Sequence, residues 1–238
     1  MSDNPYAPPS ADLGAERGGR QPLGGRGDFD IGECLSDAWA NTWANFPLWL
    51  WVGLVFIAVA VVSVATVIGI VFVLPVLAWG VTYFGLRMHD GRAEFGDLFA
   101  GFSQYGSALT GMLGCIVLIM LVGIVGQSVQ LVGDFSGNDT LSIVGGFITV
   151  AFAIFVTPRL TFAYFFVVEG VPPAESLSRA WEVTGPTKWK IVALFFIGGA
   201  VMVAGMLALV VGVIPAAQVV YLMWISAYRQ TVGAGATG

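Results

Sequence analysis

ECLSDAWANT, at residues 33–42, and ESLSRAWEVT, at residues 175–184, repeat one pattern 142 residues apart. Six of the ten positions are identical, namely Glu, Leu, Ser, Ala, Trp and Thr. Both stretches place apolar residues at the 3.6-residue period of an amphipathic helix. The repeat predicts that one structural unit occurs at least twice in the fold. In the first copy the apolar face is formed by Ile31, Leu35, Ala38, Trp39, Thr42 and Phe46.

The composition around these stretches is that of a membrane protein. Of the 238 residues, 57% are hydrophobic and 11% are charged, whereas a soluble domain carries roughly 25% charged residues. Residues 48–86 and 191–228 contain no charged residue, and each run exceeds the roughly 20 residues of a spanning helix. The chain is therefore predicted to be an all-α, polytopic membrane protein. It has no basic stripe, which argues against a nucleic-acid partner.

The apolar runs are too long to be single spans. As one helix, residues 46–88 would extend about 64 Å, twice the hydrocarbon core of about 30 Å. The run must therefore fold back, and a bend is predicted near residues 66–69. By the same reasoning residues 191–227 form a second hairpin, with a bend near residues 205–212.

A third pair of spans lies between these two hairpins. Residues 108–132 are predicted to cross the membrane and residues 141–168 to return, around the polar segment DFSGND at 134–139. The predicted fold is thus six transmembrane helices arranged as three hairpins. The predicted domains are a disordered cytoplasmic tail at 1–28, a membrane domain at 29–233 and a short C-terminal tail at 234–238.

The distribution of Lys and Arg predicts the orientation of these spans. Nine of the ten basic residues fall in the N-terminal tail, after the second span, between the fourth and fifth spans, or after the sixth. The three opposite loops contain neither Lys nor Arg. Because cytoplasmic loops carry an excess of positive charge, both termini are predicted to be cytoplasmic.

An amphipathic segment precedes each hairpin, so the chain divides into three predicted units. The middle segment, EFGDLFAGFSQYG at residues 94–106, is a weaker copy of the other two. All three are expected at the cytoplasmic face as interfacial helices anchored by Trp39, Phe99 and Trp181, with their apolar sides at the headgroup boundary or against the bundle. The alternative to a true internal repeat is that Trp and Ala recur by chance in interfacial helices. Against chance, the residues that follow the second and sixth spans keep the same offset of 142, namely Arg87 and Arg229.

The segment EGVPPAESLSRAWEVT, at residues 169–184, and the later Ala227-Tyr228-Arg229 resemble a group of bacterial multi-pass membrane proteins. The group includes YciC-like proteins of unknown function and the membrane domain joined to some glycerophosphodiester phosphodiesterases. The resemblance implies a six-span protein of the bacterial inner membrane. No phosphodiesterase domain is recognised in the sequence, so the resemblance does not imply that activity.

Few residues have the chemistry of an active site or a metal site. His89 is the single histidine and lies in RMHDGR at residues 87–92, where it is interpreted as a solvated turn residue. Cys34 and Cys115 are interpreted as small buried side chains, because no His, Cys and carboxylate set has metal-ligand spacing. The sequence therefore predicts no enzyme, no cofactor and no metal.

Arg159 is the unusual residue of the spans. It follows Pro158 about ten residues before the end of the fourth span, near the middle of the bilayer. A charge at that depth costs about 2.5–3.5 kcal/mol and normally faces the bundle or a wet cavity. Gln218, Gln127 and Gln130 are the polar residues predicted to meet it. Arg159 is then either an anion or headgroup site, or a structural brace or snorkelling side chain.

Two functions remain open on the sequence. The first is a non-enzymatic membrane protein that organises membrane lipid, or a membrane or cytoplasmic partner protein, at the cytoplasmic face. The second is a transporter or channel for a small anionic or lipid-like substrate that binds at Arg159. A polar, water-filled cavity around Arg159 would favour transport. A dry bundle with Arg159 fully paired would favour the organising role.

Overall fold

A computed structural model describes residues 27–66, 69–208 and 210–233, which form helices and short connections without strands. This confirms the all-α prediction. The tail predicted at 1–28 lies outside the described residues except for its last two positions, and the tail at 234–238 lies outside them entirely. Residues 67–68 and 209, within the two predicted bends, are outside them as well.

Nine α-helices occur within the described residues. A π-helical turn, Gly69–Val73, leads into α3, and a 3-10 helix, Phe95–Phe99, leads into α4. The helices are α1 Ile31–Ala44, α2 Phe46–Val64, α3 Leu74–His89, α4 Ala100–Ser103, α5 Tyr105–Ser136, α6 Asp139–Val168, α7 Pro173–Thr184, α8 Lys188–Leu207 and α9 Val210–Val232.

Among the residues that the structure describes, five helices are long and apolar enough to cross a membrane. In four of them only 6–22% of the most apolar window is buried inside the protein. Such exposure of apolar side chains suits helices whose solvent is lipid. The chain therefore has the helices of a multi-pass membrane protein, and α9 is not among the five. The five are Phe46–Val64, Gly69–His89, Tyr105–Ser136, Asp139–Val168 and Lys188–Leu207.

α5 and α6 are the longest helices and pack side by side in opposite directions. Glycine permits their close approach, because a Cβ built on Gly126 of α5 would overlap Thr149 of α6. Gly137 ends α5 with a φ of 65°, and the Asn138 side chain caps α6. The polar segment predicted at 134–139 is therefore a turn of only two residues between the helices.

The core is built where α3, α6 and α9 come together near their C-terminal ends. Tyr228 of α9 contacts Phe162, Phe165 and Phe166 of α6, with ring centroids 5.7, 5.2 and 5.1 Å away. Residues near the C-terminal ends of both helices therefore meet. The largest buried side chains of the three helices are Leu77, Trp79, Phe84, Phe162, Phe165, Phe166, Leu222, Met223, Ile225 and Tyr228.

The segments that precede the three hairpins, α1, residues 95–103 and α7, are called here the pre-span segments. α1 packs against α9, residues 95–103 pack against α3, and α7 packs against α6. Each pre-span segment therefore rests on the returning helix of the preceding predicted unit. Because the first unit rests on the last, the packing closes into a cycle.

α1 and α7 bury matching positions. The Thr42 and Thr184 hydroxyls each donate to the carbonyl oxygen four residues earlier, over 2.8 and 2.6 Å. Small side chains on the buried face let each pre-span helix lie close to its partner helix. The matching buried residues are Cys34, Ala38 and Thr42 in α1, and Ser176, Ala180 and Thr184, at the offset of 142, in α7, where Val183 is buried as well.

The middle pre-span segment differs from the predicted amphipathic helix. It is the 3-10 helix Phe95–Phe99 followed by the single turn of α4. Glycine within a helix is unfavourable by roughly 1 kcal/mol, and this segment contains Gly96 and Gly101. A Cβ built on Gly101 would also overlap the carbonyl oxygen of Val76 in α3. Close packing on α3 thus takes the place of a regular helix.

The two ends of the described chain meet. The Gly27 amide donates to the Thr231 carbonyl oxygen over 3.3 Å. The Asp30 amide donates to the side-chain oxygen of Gln230 over 2.9 Å. These hydrogen bonds hold the start of α1 beside the end of α9.

Candidate functional site

α3 and α6 are each followed by an acidic residue and then a glycine. Asp90 is the C-cap of α3 and Glu169 is the C-cap of α6. Gly91 and Gly170 follow with φ values of 69° and 92°, which glycine adopts without strain. A carboxylate at a helix C-terminus is unfavourable, because it lies at the negative end of the helix dipole. Both carboxylates therefore require a positive partner.

Arg229 of α9 is the partner of both. Its Nη2 donates to Asp90 Oδ2 over 2.7 Å, and its Nη1 donates to Glu169 Oε1. The Tyr228 hydroxyl donates to the second oxygen of Glu169. These four residues, Arg229, Asp90, Glu169 and Tyr228, are called the Arg229 cluster. Its charge-assisted hydrogen bonds join the ends of the three core helices.

The Arg229 cluster is largely withdrawn from solvent. The side chains of Arg229 and Glu169 are 8% and 7% exposed, and that of Asp90 is 25% exposed. Burial by itself would raise the pKa of Asp90. A hydrogen bond with His89 and the positive charge of Arg229 outweigh burial and place the pKa of Asp90 below its usual value. Asp90 is therefore ionised at neutral pH.

A cleft of about 740 Å³ opens beside the Arg229 cluster. Arg87 lines this cleft and forms an ion pair with Asp97 at 3.0 Å. Arg92 is exposed, and none of the ion pairs among the described residues involves it. The cleft therefore combines the buried, paired Arg229 with Arg92, which has no ion pair within the described part of the chain. Its charged and titratable lining residues are Tyr83, Arg87, His89, Asp90, Arg92, Glu169 and Arg229.

Sequence reasoning found part of this site. The repeat offset of 142 residues relates Arg87 to Arg229, and both residues line the cleft. His89, interpreted as a solvated turn residue, lies in the last turn of α3 with its side chain 21% exposed. Asp90 and Glu169 were not predicted as site residues. The signal for them is an acidic residue and a glycine directly after a long apolar run.

Arg159 lies against a pre-span helix. Its guanidinium carbon is 4.9 Å from the ring centroid of Trp181 in α7, a cation–π geometry. Its Nη1 donates to the Phe155 carbonyl oxygen over 3.3 Å, one turn earlier in α6. Phe155 also contacts the ring of Trp189, with centroids 6.3 Å apart. Arg159 is predicted from the sequence as a binding residue, and Trp181 is predicted as an anchor. In the structure these two side chains contact each other.

The three glutamines predicted to meet Arg159 lie elsewhere. Gln218 is 7% exposed in α9, and its side-chain oxygen is buried without a hydrogen-bond partner among the described residues. Gln127 is exposed and lines a groove between α5 and α6. Gln130 is exposed on α5, where it faces Gly145 of α6. None of the contacts among the described residues places these three glutamines beside the guanidinium of Arg159.

Aromatic side chains of the pre-span segments face outward. The three predicted anchors, Trp39, Phe99 and Trp181, are 56%, 42% and 45% exposed. The sequence pattern placed Trp39 on the same face as Ala38, but α1 turns only the smaller residue toward α9. Trp39 lies beside the buried face because a large ring would prevent the close approach of α1 to α9. Other exposed aromatic residues nearby are Trp43, Phe95, Phe102 and Trp189.

No family model, curated protein or solved structure matches the chain. The resemblance of residues 169–184 and 227–229 to YciC-like proteins therefore stays a prediction. The Arg229 cluster with its cleft and the outward aromatic residues are the two side-chain arrangements that bear on function.

Proposed function

We propose that the chain is a non-enzymatic integral membrane protein that organises lipid, or a partner protein, at the cytoplasmic face of a bacterial inner membrane. In this proposal α9 is the sixth span and both termini are cytoplasmic. The three units derive from one repeated unit, and the pre-span segments lie at the membrane boundary. The resemblance to YciC-like membrane proteins supports the proposal.

The observation that carries this proposal is the division of each pre-span segment into two faces. Small residues such as Ala38 and Ala180 pack on a core helix, while Trp39 and Trp181 project outward. Tryptophan is enriched at membrane–water boundaries, where its apolar ring and polar N–H are both satisfied. Three such segments around one bundle would place aromatic side chains among lipid headgroups or against an adjacent protein.

Transport of a small anionic or lipid-like substrate is the second candidate. It is favoured by Gln218, whose side-chain oxygen is buried without a partner among the described residues and could receive a polar guest. The contact of Arg159 with Trp181 weighs against it, since the arginine is already engaged at an outer helix. If vesicles containing the protein take up a labelled anion and vesicles with Arg159→Gln do not, transport is favoured over the organising function.

Photo-crosslinking tests the organising function. A photoreactive phenylalanine analogue at Trp39, Phe99 or Trp181 should form adducts with phospholipid or with one reproducible partner protein, because these side chains face outward. Mass spectrometry of the adducts from native membranes identifies the neighbour. The organising role requires adducts enriched in one lipid class over the bulk composition, or in one protein.

The matched control is the same analogue at Trp79, which is 1% exposed. It should give no intermolecular adduct. Lipid adducts in simple proportion to the bulk composition at all three outward positions, without a protein adduct, would contradict an organising role.

Cysteine labelling tests the proposed orientation. Ser136→Cys, at the end of α5, should react in intact cells with a membrane-impermeant maleimide. Ser136 is a better position than Gly137, whose φ of 65° strains any larger residue. The native Cys34 should stay silent, because burial raises the pKa of its thiol to about 11 and keeps it protonated.

Ser178→Cys on the exposed side of α7 is the opposite control. It should react only after the cells are permeabilised, while the unsubstituted chain reports any background from Cys115. Labelling of Ser178→Cys in intact cells, with protection of Ser136→Cys, would reverse the proposed orientation.

A further inference from the structure

The cleft beside the Arg229 cluster is lined by side chains of both charges. Arg87 and Asp97 form a neutral pair. Arg229 faces two carboxylates, so this buried group carries one excess negative charge. Arg92 carries one positive charge without an ion-pair partner among the described residues. The cleft is therefore lined by a carboxylate pair with one excess negative charge and by the positive charge of Arg92.

One polar atom beside these charges lacks a hydrogen-bond partner among the described residues. The Arg229 side chain is more than nine-tenths buried, and its Nε has no hydrogen-bond acceptor among the described residues. A buried donor without an acceptor is unfavourable, and such a donor commonly pairs with a bound water, ion or ligand. Gln104 lines the cleft as well and adds a carboxamide. The cleft thus has donors for a phosphate and acceptors for a cation.

The position of the cleft fits a lipid headgroup. The span Gly69–His89 ends directly at Asp90, so a membrane crossed by this helix has its boundary beside the cleft. The cleft volume of about 740 Å³ lies within the roughly 300–1,000 Å³ of small-molecule sites. A headgroup can therefore enter while its acyl chains remain in the bilayer.

We propose that this cleft binds the phosphoethanolamine headgroup of a membrane lipid. Arg92 binds the phosphate, and the excess carboxylate charge of Asp90 and Glu169 receives the primary ammonium. The ammonium has hydrogen-bond donors for these carboxylates, whereas the trimethylammonium of a choline headgroup has none. A glycerol headgroup lacks the cation. This inference rests on the proposed function and names the lipid that the protein would organise.

Native mass spectrometry of the purified full-length chain tests the inference. The chain in mild detergent is mixed with equal amounts of phosphatidylethanolamine, phosphatidylcholine and phosphatidylglycerol of identical acyl chains. Phosphatidylethanolamine should be retained on the order of tenfold more than the other two, and Arg92→Gln should reduce its retention about tenfold. Arg92→Lys should keep part of the retention, because it keeps the charge but loses the planar fork.

Lys188→Gln is the matched control, since it removes one exposed positive charge that does not line the cleft. It should leave retention unchanged, and thermal unfolding of every variant verifies the fold. Equal retention of the choline lipid, preference for the glycerol lipid, or no effect of Arg92→Gln would overturn the inference. Tight binding of soluble phosphoethanolamine by the lipid-free chain would assign the site to a free compound and overturn the lipid source.

The same variants separate this inference from the proposed function. If Arg92→Gln does not change retention while lipid-class-specific adducts still form at Trp39 and Trp181, the cleft assignment fails and the organising role stands. If those adducts fail while retention depends on Arg92, the organising role fails and the cleft remains a headgroup site.

Discussion

Arg229→Ala is expected to lower the free energy of unfolding by roughly 3–5 kcal/mol, the usual effect of removing one partner of a buried ion pair. The substitution leaves Asp90 and Glu169 uncompensated at the negative ends of two helices. It also removes the hydrogen bonds that join α3 and α6 to α9. Unfolding of the detergent-solubilised chain in increasing denaturant, followed by tryptophan fluorescence, measures the change.

Arg179→Ala provides the comparison for this variant. Arg179 and Glu175 form an exposed pair one helical turn apart in α7, with side chains 30% and 49% exposed. Loss of such a pair is expected to change the free energy of unfolding by about 0.5 kcal/mol or less. If both arginine variants are destabilised equally, the Arg229 cluster does not hold the core helices together. Adding Asp90→Asn and Glu169→Gln to Arg229→Ala should recover part of the lost stability, because the unpaired charges are then removed.

Gly80→Ala is expected to destabilise the protein by about 1–3 kcal/mol or more, the range found for overpacked cores. A Cβ at this position in α3 would overlap the carbonyl oxygen of Leu98. Leu98 cannot easily move, because its side chain is fully buried and the neighbouring Asp97 is bonded to Arg87. The shift in thermal unfolding of the detergent-solubilised variant measures the effect.

Gly114→Ala is the control for the glycine variant. Gly114 lies in α5, and a Cβ built on it would have no other atom within 4 Å. Alanine is favoured over glycine within a helix by roughly 0.5–1 kcal/mol, so this variant should be unchanged or slightly more stable. Destabilisation by Gly114→Ala as large as that by Gly80→Ala would show that the close contact of α3 with Leu98 is not the cause.

The helices could be predicted from the sequence because lipid requires long apolar runs with local breaks. The return helix predicted at 141–168 is α6, Asp139–Val168, and Gly137 marks the preceding turn. These features depend on residues close together in the chain. The face of a helix that points to the interior is harder to predict than the helix itself. Trp39 and Ala38 are neighbours on one helix, and only tertiary packing decides which of them faces α9.

The Arg229 cluster could not be predicted from local pattern. Arg229 is 60 residues from Glu169 and 139 residues from Asp90. Their contact exists because α3, α6 and α9 end together, which a single sequence does not specify. Arg159 shows the same limit. Its distance from the helix end could be counted, but its contact with Trp181 depends on where α7 folds back along α6.

The packing of α1 on α9 means that a helix synthesised early in this sequence binds one synthesised much later. Asp37 and Ser226, which form a hydrogen bond between these helices, are 189 residues apart. At about 5–20 residues per second, a ribosome needs roughly 10–40 s to bridge that interval. Throughout this time the small-residue face of α1 is without its native partner. Lipid or the insertion machinery has to shield that face until α9 emerges, and only then can the bundle close.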